Sequence, residues 1–217
     1  MDWLRTVDGY CERTGAGYWA EPVNALTNAA FLVAAVLAWR LARRAGDRAA
    51  QVLCVILGAI GVGSYLFHTH AQVWAMMADV VPIQVFILAY LALATVRFFA
   101  LPWWAGGLAA LAFVPLAAGL SRAVAAVVGP LNGSVSYLPV PVLILGYAAL
   151  LARRDPETAR GLAAGAGILA VSLFFRTIDA GVCGGFALGT HFLWHLLNAA
   201  MLGWMIRVFV RAGMRQP

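Results

Sequence analysis

Apolar residues in this chain do not alternate with polar ones; they run on for about twenty positions at a time. A run of about 20 apolar residues in a helix matches the thickness of a bilayer's hydrocarbon core. Seven such runs occur, at 22–42, 49–67, 75–96, 102–120, 136–152, 160–176 and 187–209. They predict an all-α membrane protein, a bundle of seven transmembrane helices. Spans and short joints use nearly all 217 residues, so the chain is expected to form a single seven-span domain, 1–217. Residues 1–21 form a polar segment ahead of the first span. No apolar run lies in 1–20, so the first span is expected to insert as its own anchor rather than follow a cleaved signal.

Composition agrees with that reading. The chain is 63% hydrophobic and 11% charged, against about 45–50% and 25% in soluble domains. A net charge of +6 would invite nucleic acid in a soluble protein, but here it marks topology. All fifteen basic residues are arginine, and eleven fall on one side: Arg40, Arg43, Arg44, Arg48, Arg97, Arg153, Arg154, Arg160, Arg207, Arg211 and Arg215. Only Arg5, Arg13, Arg122 and Arg176 fall on the other. Cytoplasmic loops carry the arginine excess, so the N-terminus is expected outside and the C-terminus in the cytoplasm. Membrane lipids, not nucleic acid, are the expected surroundings. Absence of lysine beside abundant Ala, Gly and Arg fits a GC-rich bacterial genome, and hence a bacterial inner membrane.

This topology gathers the chemistry at one face. His68 closes the second span and Asp79 opens the third; His191 and His195 lie in the first turns of the seventh, all at the outer end. Ionisable groups in hydrocarbon are costly and mark function. His191 and His195 are i and i+4, so one helix face can aim both at a single ion. Ser64 and His68 share that spacing. Three histidines leave a fourth position on zinc for water, whose pKa falls to about 7. Asp79 is placed to take that water's proton, and Ser64 to donate to an oxyanion. A histidine pair at this spacing also serves to join helices or to hold haem. His70 reads as an interfacial neighbour, Asp179 as a surface partner of Arg176, and Trp194 as packing.

Three blocks resemble the alkaline ceramidase family, within a wider group of seven-span hydrolases that includes adiponectin-receptor-like proteins. The first is Tyr-Cys-Glu-Arg (10–13) with Ala-Glu-Pro-Val-Asn-Ala-Leu-Thr-Asn (20–28). The second is Gly-Val-Gly-Ser-Tyr-Leu-Phe-His (61–68) with Asp79 and Pro82, and the third is Asp179, Cys183 and His-Phe-Leu-Trp-His (191–195). The resemblance implies a zinc site of His68, His191 and His195, with Asp79 and Ser64 catalytic and a ceramide-like lipid amide as substrate. It also implies calcium bound by acids before the first span. Glu12 and Glu21 match that pattern and Asp8 stands nearby, but Gly9 replaces the family's aspartate and Thr14 its asparagine. Cys11 and Cys183 match the family's bridging cysteines, and both lie on the outer face, where disulfides persist; Cys54 lies within the second span and reads as a small apolar residue. Two other classes stay open: a receptor or sensor with a structural zinc site, and a proton-coupled carrier. A carrier would spread its relay through the membrane depth, whereas these groups sit at one face.

Overall fold

The computed structural model describes residues 2–215. Within them lie eight α-helices: α1 (Pro22–Thr27), α2 (Ala29–Arg44), α3 (Arg48–His70), α4 (Val73–Phe99), α5 (Trp103–Val128), α6 (Pro139–Leu151), α7 (Pro156–Val182) and α8 (His191–Met214). A 3-10 segment, Leu131–Tyr137, leads into α6. Seven stretches are long and apolar enough to cross a membrane, α1 with α2 forming the first and the 3-10 segment with α6 the fifth. The protein is a multi-pass α-helical membrane protein.

Polar residues start two of the helices ahead of their apolar stretches. Asp47 accepts a hydrogen bond from Ala50 N at 3.0 Å and starts α3; Asp155 does the same for α7 through Thr158 N at 3.1 Å. The seventh span starts at His191, not 187. Phe186, Ala187 and Leu188 are apolar yet lie in the loop, and Gly189 turns the chain with φ 65°. Left-handed backbone of this kind suits glycine.

Between lipid-covered helices there is little hydrophobic drive, so close contact of small residues sets the packing. A Cβ on Gly63 would lie 1.9 Å from the Ala78 carbonyl oxygen, so α3 and α4 touch backbone to backbone one residue before Ser64 and Asp79. Central α8 meets α1, α2, α3, α4 and α7, and 61% of its span is buried against 6% of α5. At the arginine-rich end, Arg97 pairs with Asp47, donates to the Phe209 carbonyl at 3.1 Å and lies over the Phe209 ring. That ties α4 to the start of α3 and to α8.

The N-terminal segment closes the opposite end. Thr6 pairs with Gln72 in an isolated antiparallel bridge, Val7 N donates to Ala71 O at 2.8 Å, and Val73 N donates to Arg5 O at 3.1 Å. A Cys11–Cys183 disulfide, Cα–Cα 5.1 Å, pins it to the α7–α8 loop as expected. Cys54 is free and buried.

Candidate metal centre

His68 lies near the C-terminus of α3, and His191 and His195 occupy the first turns of α8. All three are at most 1% exposed. Their ring centroids lie 4.6–5.2 Å apart, and one ligand nitrogen from each falls within 4.8 Å of the others. Burying a polar atom without a partner is costly. Yet His68 Nε2, His191 Nδ1 and His195 Nε2 are all buried without a hydrogen-bond partner. Three such nitrogens in one pocket are a donor set for a metal ion.

The remaining contacts set up those donors. His68 Nδ1 lies 2.6 Å from Glu21 Oε2. The carboxylate can only accept, so Nδ1 carries the proton and Nε2 keeps its lone pair. Thr27 Oγ1 donates to Val23 O at 2.8 Å, and so accepts from His195 Nδ1 at 3.0 Å. That frees Nε2 of the second histidine in the same way. The Tyr10 ring stacks on His191 with centroids 3.7 Å apart. Burial raises the Tyr10 pKa, and Arg176 opposes that only in part, so the phenol keeps its proton.

Asp179 is fully buried and is not the surface partner of Arg176 that its spacing suggested. Its carboxylate accepts from Thr190 N at 2.6 Å, His191 N at 2.9 Å and Cys11 N at 3.2 Å. A carboxylate there satisfies the open N–H groups of α8 and its dipole, which fixes where His191 begins the helix. A Cβ on Gly189 would come within 2.3 Å of Asp179 Oδ1. Arg176 turns the other way, toward the Tyr10 hydroxyl at 3.4 Å and the faces of Tyr10, Tyr137 and Trp194.

Asp79 stands outside the ligand group. It lines a cavity of about 290 Å³ with Tyr10, Phe67, Tyr137, Arg176 and Trp194. Its carboxyl adjoins the Ser64 hydroxyl and faces His68 and Arg176. An apolar cleft shares Ile83, Tyr137 and Trp194 with this cavity and runs along α4 to Phe98. Fifteen residues of helix make that about 22 Å. His70 keeps to the exposed side, edge-on to Tyr18 and Trp74.

The three acids do not gather as calcium ligands. Asp8 is exposed, and the acids share no cluster of ligand atoms among the described residues. Glu12 accepts from Val23 N and Asn24 N, both at 2.7 Å, and so caps α1. Burial raises the Glu21 pKa, but hydrogen bonds from His68, Arg13 and Asn24 outweigh it and hold the carboxylate below its usual value. The donor set does not fit calcium. Glu21 serves His68 instead, a role that no local spacing announces because its partner is 47 residues away.

No curated protein matches the chain significantly. The ceramidase family model matches residues 7–214, which takes in most of the N-terminal segment, all eight helices and each histidine of the centre. On that match over nearly its whole length, the chain belongs to the ceramidase family.

Proposed function

We propose that the protein is a zinc-dependent amidase that hydrolyses the amide of ceramide or a related long-chain N-acyl lipid. The observation that carries this reading is the buried trio of unpartnered histidine nitrogens, with Asp79 facing one of them, His68. Family membership supplies the substrate class. A zinc ion at such a site supplies a Lewis acid that polarises a carbonyl and lowers the pKa of water to about 7.

The protein's own groups then have distinct tasks. His68, His191 and His195 would hold the ion, oriented by Glu21, Thr27 and Tyr10. The lipid amide lies in the cavity with its acyl chain in the cleft along α4. Asp79 takes a proton from the attacking water and returns it to the departing amine, giving a fatty acid and a long-chain base. Ser64 donates to the negative charge that develops on the carbonyl oxygen. Asp79 opening onto this cavity favours an enzyme over a receptor or sensor, and ionisable groups gathered at one end disfavour a carrier, whose relay would run through the membrane depth.

The centre lies at the end of the bundle opposite the eleven arginines and beside the disulfide. Both features support an extracytoplasmic N-terminus, with the site at the outer face of a bacterial inner membrane. The test is hydrolysis of a ceramide in detergent, with zinc measured on the same sample. About one zinc per chain is expected, with both metal and turnover lost in His195→Ala. Full zinc occupancy in a variant lacking all three histidines would sink the assignment.

A further inference from the structure

Arg13 is buried, with 8% of its surface exposed, although arginines rarely lie inside a protein unless paired. Its guanidinium sits in a cradle of three oxygens. Nε donates to Glu21 Oε1 at 2.5 Å, one terminal nitrogen to the Gly15 carbonyl at 3.1 Å, and the other to the His68 carbonyl at 3.0 Å. The cradle joins the N-terminal segment, the start of the first span and the end of α3. We propose that Arg13 is a built-in cation in the place where the resemblance puts calcium, so that the centre is assembled without that ion.

The chemistry of the two cations explains the exchange. Calcium takes six to eight oxygen ligands at about 2.3–2.6 Å and favours several carboxylates. Here Gly9 removes a carboxylate that the resemblance calls for, and Thr14 puts a hydroxyl where it calls for an amide oxygen. Glu12 has both oxygens committed to the backbone of α1, and Glu21 keeps one for His68. A single carboxylate and two carbonyls are too few for calcium. They suit a guanidinium, which carries one positive charge and spreads its donors in a rigid plane. Arg13 thereby neutralises Glu21 without occupying the oxygen that faces His68. The arginine also bonds the His68 carbonyl, so it holds the metal-ligating end of α3 from two sides.

Arg13 is a positioning residue, and calcium separates its role from simple packing. The inference shares His68 with the zinc reading, but calcium binding is read apart from turnover, so failure of either is distinguishable. Purified parental protein with its zinc in place is titrated with terbium, read by luminescence, and its thermal midpoint and hydrolysis are followed over calcium from about 10⁻⁹ to 10⁻³ M. No saturable terbium signal and no response to calcium or to its chelation are expected. In Arg13→Asn the cradle gains an oxygen and loses its cation, so the midpoint should fall and be raised again by calcium, with terbium binding. Arg13→Lys should keep most of the parental midpoint without calcium. Saturable calcium binding by the parental protein overturns the proposal. So does an Arg13→Asn protein that melts like the parent and ignores calcium. If Arg13→Asn yields no folded protein, the parental titration alone decides.

Discussion

Glu21 and Asp79 are both carboxylates beside His68, yet one accepts from its ring nitrogen and the other opens on the cavity. Their substitutions should therefore fail differently. Asp79→Asn should keep zinc and lose hydrolysis by about 10²–10⁴-fold, because an amide cannot accept the water's proton. Ser64→Ala should cost about 10²–10³-fold, as loss of one oxyanion donor does elsewhere. Glu21→Gln should instead weaken zinc affinity by about 10–100-fold, read by competition with a chelator. An Asp79→Asn protein that turns substrate over at the parental rate removes Asp79 as the base. A Glu21→Gln protein with parental zinc affinity removes Glu21 as the partner that orients His68.

The helices are joined to the chemistry by small residues. Gly63 lets α3 meet α4 at Ala78, where the next residue on each helix is Ser64 or Asp79. Gly63→Ala forces the two backbones apart, and overpacking of this kind costs about 1–3 kcal/mol or more. The expected outcome is a lower thermal midpoint together with a loss of turnover larger than the loss of zinc, since α8 is untouched. Parental turnover in Gly63→Ala would separate the glycine from the site. At this scale the sequence was readable where one physical rule dominates. Hydrocarbon thickness fixes seven apolar runs, and helical spacing pairs His191 with His195. It was not readable where an end depends on a distant partner: α8 starts at His191 because Asp179, twelve residues earlier on α7, accepts its N–H. Asp179 beside Arg176 looked like a local ion pair, and nothing in the spacing of either residue reveals that they turn in opposite directions. Nor does the sequence mark Arg13 and Glu21 as a pair that supports a histidine in another helix.

On the scale of the molecule, seven spans form a frame and the N-terminal segment completes the centre from above. Tyr10, Arg13 and Glu21 reach the histidines or their helices from that segment, Glu12 caps α1, and Cys11–Cys183 holds the segment down. Reducing the disulfide should lower the thermal midpoint and speed zinc release, with loop closure contributing about 5 kcal/mol in the chain-entropy reckoning. Unchanged melting and unchanged zinc release after verified reduction would show the bond to be idle. The bridge also has a consequence for biogenesis. Its two cysteines are 172 residues apart, and α7 and the loop beyond it must be inserted before Cys183 can meet Cys11. The residues translated earliest are thus among the last to dock. A nascent chain passes through insertion with His68 in place but without its two partners, so no product that stops before His191 carries the three-histidine group. On the proposed reading, hydrolysis of membrane lipid is withheld until the start of the last span, with His191 and His195, has reached the bilayer.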